Sequence, residues 1–239
     1  MTFSFDAINP ERSIVFLPFD GQHSQDVGGT PTQVCRSLSK VPGSLDYARM
    51  GNGTTSSTFP TQLAPRGVYL DGGDYVDLDW TVGSPLDSTS FTFLLYGRVK
   101  PSDMGTYDRL YEIGIVHQRY ALYWDKSAGV LEFFVDDLVN TFLRSSKGYP
   151  DSQDHVYAVS IDRNACRMYC DGEVIDSIEG DYRLPSFDPA TLATIGAYPP
   201  LPTANSFKGE MYQAAIYPFA LNSVQVREWG RRARQARTI

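Results

Sequence analysis

Three strand-like segments, in a fixed order along the chain, constrain its fold more than any other feature. The first runs from Arg66 to Leu78 and is divided by an Asp-Gly-Gly turn. The second runs from Phe91 to Val99 and is apolar on both faces, as expected for a central strand covered on both sides. The third runs from Phe207 to Tyr217. Alternating or wholly apolar runs bounded by Gly, Asp or Pro are typical of β-strands, so the pattern predicts an all-β protein.

Length and composition agree with a large β-sandwich. The chain has 239 residues, including 15 Tyr, 13 Phe, 20 Gly and 15 Pro. This mixture favours strands and turns over helices, and all-β sandwiches of this size commonly form one domain. The formal net charge of −7 argues against a nucleic-acid partner.

Cysteine usage and the N-terminus bear on the compartment of synthesis. The chain has 3 Cys, and Cys166 and Cys170 share one face of a predicted strand, too far apart along it to bond. We therefore expect free thiols and synthesis in a reducing compartment, the cytoplasm. The first ten residues lack the basic and apolar regions of a signal peptide. No apolar run approaches the roughly 18 residues of a membrane helix, so we expect neither signal-peptide export nor membrane insertion.

A tight hairpin is predicted at Asp171-Gly172, because both residues tolerate the positive φ of a two-residue turn. The segment around it, from Arg167 to Ile175, resembles a hairpin of laminin-G-like (concanavalin A-like) jelly-roll domains. Together with the three strand segments, the resemblance extends over about Ile14 to Trp229. It implies a two-sheet antiparallel β-sandwich of jelly-roll type with a short C-terminal helix, which Ser223 would cap.

This resemblance divides the chain into three parts. We expect an N-terminal arm over residues 1–12, a laminin-G-like β-sandwich over 13–222, and a basic C-terminal helix or tail over 223–239. From Arg227 to the end there are five Arg and one Glu, a net charge of +4, so the remainder of the −7 chain carries −11.

The basic tail suggests a protein partner with an acidic surface. The predicted docking residues are Arg227, Arg231, Arg232, Arg234 and Arg237. We expect them to contact other subunits of an assembly. The alternative is a solvated helix that contacts no partner.

Calcium is the candidate cofactor, because a hard cation requires several oxygen ligands on neighbouring loops. Four aspartates lie at predicted strand ends: Asp20, Asp26, Asp71 and Asp74. Many laminin-G-like domains bind calcium, although this chain has Tyr212 and Gln213 where the family's closing strand often carries acidic residues. The alternative is that Asp71 and Asp74 shape turns through side-chain hydrogen bonds.

Glycan is the second candidate ligand, because sugars bind aromatic rings that lie beside polar side chains. The candidate residues are Tyr120, Tyr123, Trp124, Asp125 and Tyr198. Aromatic residues in strands also commonly belong to the core, and this alternative stays open.

Carboxylate spacing argues against catalysis. Jelly-roll glucanases carry carboxylates that alternate along one strand, so that acid and nucleophile share a face. Here Glu173 and Asp176 come nearest, but they are three residues apart and would face opposite sides of a regular strand. A Gly-x-Ser-x-Gly nucleophile elbow is also absent from the sequence.

The sequence therefore favours a non-enzymatic structural or attachment component of a larger assembly, such as a virion surface or decoration protein. Glycan binding is compatible with this role. The alternatives are a stand-alone lectin-like carbohydrate-binding module and a glycoside hydrolase.

Overall fold

A computed structural model describes residues 5–21, 23–27, 30–40, 44, 46–51, 59–63, 66–78, 90–99, 107–115, 118–136, 141–145, 152–183, 193–197 and 206–238. Within these ranges the chain forms 17 strands, two short 3-10 helices (Phe5–Ile8 and Pro10–Arg12) and one α-helix. The strands build two antiparallel sheets that pack face to face, which confirms the predicted β-sandwich.

Sheet A has β8 at its centre. Its strands, in spatial order, are β15 (Glu173–Glu179), β14 (Ala165–Cys170), β13 (Asp154–Ile161), β8 (Phe91–Val99), β17 (Lys208–Tyr217), β6 (Val68–Asp71) and β5 (Thr61–Gln62). A further strand, β1 (Val15–Leu17), pairs with β17. Distant parts of the chain thus become neighbours, as in a jelly roll.

Sheet B lies across the core from sheet A. Its strands, in spatial order, are β12 (Thr141–Arg144), β11 (Val130–Asp136), β10 (Gln118–Asp125), β9 (Tyr107–Ile115), β16 (Ala193–Ile195), β7 (Val76–Asp77), β4 (Tyr47–Met50), β3 (Thr30–Arg36) and β2 (His23–Val27).

Aromatic side chains from the inner faces of both sheets fill the core. Alternation along β10 turns Tyr120, Leu122 and Trp124 inward. The Tyr120 ring lies 4.8 Å, centroid to centroid, from Phe91 and 6.2 Å from Phe93, which both come from sheet A. These contacts join the two sheets through dry aromatic packing.

The helix α1 (Ser223–Arg237) covers the outer face of sheet A. Trp229, Val226 and Ala233 are buried in a second apolar cluster together with sheet A residues. Gly230 permits the close approach, because a Cβ there would lie 2.7 Å from Cγ2 of Val156. Covered on one face by the core and on the other by α1, β8 is the central strand that its sequence predicts.

The N-cap of the helix lies one residue before the predicted one. Asn222, not Ser223, is the N-cap, and its side chain accepts a hydrogen bond from the Gln225 N–H at 3.0 Å. The Gln225 side chain accepts one in return from the Asn222 N–H at 3.0 Å. This reciprocal capping box satisfies two N–H groups at the helix start, which Ser223 alone could not do.

Two local predictions are confirmed. Asp171 and Gly172 have φ angles of 51° and 81°, as the two-residue hairpin requires. Cys35, Cys166 and Cys170 are free and buried. Burial is the main reason that the pKa of Cys35 rises to about 12. No helix among the described residues has the length and apolar character needed to cross a membrane.

Candidate functional site

The outer face of sheet B is the candidate site. A single register line crosses five strands of this sheet, with Arg49 opposite Asp77, then Thr194, Glu112 and Ala121. Neighbouring residues on these strands point into the core, so this line points away from it. We use the name "sheet B face" for the outward residues Tyr47, Arg49, Tyr75, Asp77, Arg109, Glu112, Arg119, Tyr123, Glu132, Phe134 and Arg144.

A buried ion-pair group lies near the middle of the sheet B face. The Glu112 carboxylate is almost fully buried and lies 3.0 Å from Nη1 of Arg119 and 3.4 Å from Nε of Arg109. Both arginines are themselves largely buried. A buried carboxylate requires such pairing, because an uncompensated charge away from water is strongly destabilising.

A second carboxylate of this face, Glu132, is paired in a different way. It accepts a hydrogen bond from the Tyr123 hydroxyl at 2.7 Å and forms an ion pair with Arg144. Burial of Tyr123, and then its bond to Glu132, raise the pKa of the phenol above its usual value. The hydroxyl therefore stays a neutral donor at ordinary pH.

Two aromatic rings of the sheet B face are covered by guanidinium groups. Arg109 lies over the Tyr123 ring at 4.3 Å from its centroid, and Arg119 lies over Phe134 at 5.3 Å. Such cation–π contacts fix both partners in place. These rings are therefore part of a rigid charged framework.

The accessible part of the face lies toward β4 and β7. Tyr47, Arg49, Tyr75 and Asp77 are all partly exposed. Partial burial, and then the Asp77 charge, raise the pKa of Tyr75. At the opposite edge, the Arg144 side chain is 59% exposed. This arrangement places partly exposed phenol rings beside charged groups on one sheet face.

The predicted sugar-binding residues lie in different parts of the structure and do not form one site. Tyr120 and Trp124 are buried between the sheets, which corrects their prediction as sugar platforms because neither ring face is accessible. Tyr123 lies on the sheet B face, beneath Arg109. Tyr198 lies outside the described residues.

Asp125, the remaining sugar-binding candidate, shapes the turn after β10. Its Oδ1 accepts hydrogen bonds from the Ser127 N–H at 2.8 Å and the Ala128 N–H at 3.1 Å. Burial alone would raise the pKa of Asp125, but the bonds from Ser127 and Ala128 outweigh it and lower the pKa. The carboxylate is thus engaged within its own turn.

Two of the predicted calcium ligands also form turn hydrogen bonds. The Asp71 N–H donates to Oδ2 of Asp74 at 3.1 Å, and the Gly73 N–H donates to Oδ1 of Asp71 at 3.0 Å. Burial is the main reason that the pKa of Asp74 rises to about 6. Asp71 and Asp74 therefore shape the turn through side-chain hydrogen bonds, which is the alternative to calcium binding that the sequence left open.

The other two predicted calcium ligands are Asp20, which is exposed, and Asp26, whose side chain is outside the described part of the structure. Across the described ranges, one group of three side chains has metal-ligand spacing, namely His155, Cys170 and Asp171. It contains none of the four predicted aspartates, and calcium binding stays a prediction.

The basic helix is bound by the chain's own acidic residues. Arg234 pairs with Asp171, and Arg237 pairs with Asp154. The Arg237 guanidinium also lies over the Tyr212 ring at 3.5 Å from its centroid. These two arginines, predicted to dock on a partner, are therefore engaged within the chain.

The other three predicted docking residues lie at the helix surface. Arg231 and Arg232 pair with Glu228 at 2.7 and 3.0 Å, and both remain exposed. Arg227 is exposed as well. These three have an outward position from which a partner could be contacted.

The two carboxylates weighed for catalysis share a face, so their predicted separation is wrong. Glu173 pairs with Cys170 and Asp176 with Met168, and both partners face the core. A bulge in β15 adds one residue and reverses the alternation between them. Asp176 is nevertheless occupied, because it accepts the Arg144 N–H of β12 at 2.7 Å.

Comparison with known proteins places the chain among β-sandwich domains. A family model described as the concanavalin A-like lectin/glucanases superfamily matches residues 70–227. A search of curated proteins gives no significant match.

Several solved structures share the fold. The Ruminococcus gnavus IT-sialidase CBM40, including a form bound to alpha2,3 sialyllactose, has a TM-score of 0.56 at 14–15% identity, covering 72% of this chain and 98% of that one. The botulinum neurotoxin serotype D binding domain has a TM-score of 0.62 at 9% identity, covering 95% of this chain. This chain spans 52% of that domain. A serotype D ligand binding domain in complex with N-acetylneuraminic acid has a TM-score of 0.62 at 10% identity, covering 95% of this chain and 52% of its own.

Proposed function

Because this chain belongs to the concanavalin A-like lectin/glucanases superfamily, we propose that it is a non-catalytic module that binds glycan on the sheet B face. One observation carries the proposal. Partly exposed Tyr47 and Tyr75 lie beside Arg49 and Asp77 on the outer face of sheet B, whereas α1 closes the outer face of sheet A.

The chemistry of this patch suits a sugar. Tyrosine rings offer an apolar surface to the C–H groups of a pyranose, and their hydroxyls can donate and accept hydrogen bonds. Arg49 adds a planar guanidinium that can bind a carboxylate with two parallel hydrogen bonds. An acidic sugar is therefore the ligand class that we propose.

The comparisons support the same ligand class. Two of the similar structures contain alpha2,3 sialyllactose or N-acetylneuraminic acid. At 15% and 10% identity, these structures support the shared fold, and the ligand is carried over to this chain as part of the proposal.

The pairing of carboxylates supports binding over hydrolysis. Paired-carboxylate glycosidases need one protonated carboxyl group and one free carboxylate beside the scissile bond. On the sheet B face, Glu112 is held by two arginines, and Glu132 by Arg144 and Tyr123. Both carboxylates are thus engaged by other side chains, whereas this chemistry requires carboxyl groups that can act on the sugar.

Calorimetric titration with alpha2,3 sialyllactose tests the proposal. We expect binding to the unmodified chain, weaker binding of lactose, and loss of about tenfold in affinity for the Tyr47→Ala, Tyr75→Ala double variant, equivalent to about 1.4 kcal/mol. Tyr69→Ala is the matched control, because Tyr69 is a partly exposed strand residue of sheet A. Absence of binding to any glycan, or an equal loss in the control, would contradict the proposal.

We propose that the wider role is attachment within a larger assembly, such as a virion surface or as a decoration protein. Support comes from Arg227 and Arg231, which remain exposed on α1 while the chain as a whole is acidic. Such a patch could contact an acidic partner subunit. A stand-alone lectin-like module is the alternative.

Charge reversal tests the assembly role more cleanly than tail deletion, which would also remove Arg234 and Arg237. The Arg227→Glu, Arg231→Glu variant should be lost from purified particles, as measured by mass spectrometry. Arg163→Glu, at an exposed hairpin position on β13–β14, is the control. Equal incorporation of both variants, or absence of the unmodified chain from any particle, would favour the stand-alone module.

A further inference from the structure

A small cavity opens between the N-terminal 3-10 helices, β1, β17 and the C-terminal half of α1. Its volume is about 220 Å³. Its walls are mainly apolar and include Ile8, Pro10, Phe16, Pro18, Trp229 and Ala236. It lies against sheet A, and none of its lining residues belongs to the sheet B face.

Gln213 places a polar group in this apolar cavity. It lies at a bulge of β17, where the register with β8 shifts between Met211 and Gln213. Its side chain lines the cavity and is only 7% exposed. Within the described part of the chain, its amide has no hydrogen-bond partner. The amide therefore offers one donor group and one acceptor oxygen to a ligand in the cavity.

Two guanidinium groups also line the cavity. Arg66 is partly exposed and has no ion-pair or hydrogen-bond partner among the residues that the structure describes. Arg232, at the helix side, pairs with Glu228 at 3.0 Å. The cavity thus combines an apolar interior, an unpartnered amide and a surplus of positive charge.

We propose that this cavity binds an amphipathic monocarboxylate, a ligand with an apolar body and one anionic head. At about 25–30 Å³ per non-hydrogen atom in a liquid, the cavity of about 220 Å³ holds roughly seven to nine such atoms, enough for an apolar tail of about seven carbons. The apolar body packs against Phe16 and Trp229. The carboxylate pairs with Arg66 and accepts a hydrogen bond from the Gln213 amide.

Other small ligands satisfy fewer of these groups. A neutral apolar molecule would leave the Gln213 amide without a partner and Arg66 without a counter-charge. A small hydrophilic anion would leave the apolar walls uncovered. A ligand with both properties is the one that the lining favours.

Calorimetry with octanoate, 1-octanol and acetate tests this site on the full chain. We expect octanoate to bind at least tenfold more tightly than either partial analogue. Arg66→Gln should weaken octanoate binding about tenfold and leave octanol binding unchanged. Arg231→Gln is the matched control, because Arg231 shares the Glu228 partner of Arg232 but does not line the cavity.

A cavity-filling variant gives an independent check. Ala236→Phe should abolish octanoate binding while sialyllactose binding at the sheet B face is unchanged. If that variant fails to fold, the Arg66→Gln comparison still decides the matter. Octanoate that binds no better than octanol and acetate, or an Arg66→Gln chain that binds it as the unmodified chain does, would overturn the proposal.

Discussion

At the residue scale, the two buried carboxylates of the sheet B face are held by basic or phenolic partners. Glu112 is enclosed by Arg109 and Arg119, and Glu132 by Arg144 and Tyr123. The members of the Glu112 group are all largely buried, and removal of one member of a buried pair typically costs about 3–5 kcal/mol, because the partner charge is left uncompensated. These groups therefore form a fixed framework on the face for which we propose glycan binding, and the same pairing leaves neither carboxylate free to act as an acid or a base.

Asp171 is the most extensively bonded carboxylate at the junction of hairpin and helix. Its Oδ1 accepts the Val156 N–H at 3.0 Å and pairs with Arg234, while its Oδ2 lies 2.6 Å from Nδ1 of His155. Burial alone would raise the pKa of Asp171. The bonds from His155 and Val156 and the Arg234 charge outweigh burial, so the pKa is lowered.

Asp171→Asn should therefore reduce stability in a pH-dependent way. Asparagine keeps the volume and tolerates the positive φ, but it loses the charge. We expect the free energy of unfolding at pH 7 to fall by about 1–3 kcal/mol. Because the folded-state pKa lies below the unfolded value of about 3.9, the stabilisation is present above that value and is lost as pH falls through the folded pKa. Urea unfolding from pH 7 to 3 measures this difference.

Glu173→Gln is the control for this prediction, because Glu173 is exposed on the same hairpin. Its effect should stay within about 0.5 kcal/mol at every pH. A deficit of Asp171→Asn that stays constant down to pH 3 would show that lost packing, not lost charge, is the cause.

At the element scale, the sequence predicts strands well but not which face each residue occupies. Period two shows that Tyr120 and Tyr123 must face opposite ways, and β8 is recognisably central because both of its faces are mainly apolar. Which of the two tyrosines lies inside depends on where the second sheet packs. That information resides in contacts between distant strands, such as Tyr120 with Phe91.

Bulges are the second reason that the sequence does not show which face a residue occupies. The extra residue in β15 puts Glu173 and Asp176 on one face, and the bulge in β17 puts Gln213 against the cavity. A bulge arises from a mismatch between two paired strands, so one strand's residue pattern does not reveal it. Tyr47 and Tyr75 are not identified from the sequence, because a tyrosine in a strand does not show by itself whether it belongs to the core or to a ligand surface.

The basic C-terminal segment is a third case in which the sequence shows a property but not the contacts that it makes. The sequence shows that residues from Arg227 onward carry +4 on an acidic chain, but not which acidic groups oppose them. Arg237 pairs with Asp154, 83 residues away in sequence, and Arg234 with Asp171, 63 residues away. The sequence predicts the helix and places its cap within one residue. The residues of the sandwich that the helix contacts can be identified only from the folded structure.

At the scale of the whole molecule, the two outer faces of the sandwich differ in kind. The sheet A face is apolar around Leu94, Val156 and Tyr217, and α1 covers it. The sheet B face is charged and aromatic. A large apolar face exposed to water would promote association, so the sheet A face needs the cover that α1 gives. The charged sheet B face needs no such cover, and it is the face on which we propose that glycan binds.

Trp229→Ala should therefore destabilise the molecule without affecting the sheet B face. Trp229 is buried against sheet A, so its loss should cost about 3–5 kcal/mol and favour concentration-dependent self-association. Urea unfolding and light scattering measure these effects. Val224→Ala, at a position 41% exposed on the same helix, should change neither the free energy of unfolding nor the self-association.

Sialyllactose affinity should survive in the folded fraction of Trp229→Ala, because the core separates α1 from the sheet B face. A stable, monomeric Trp229→Ala chain would show that α1 is dispensable and that sheet A tolerates exposure.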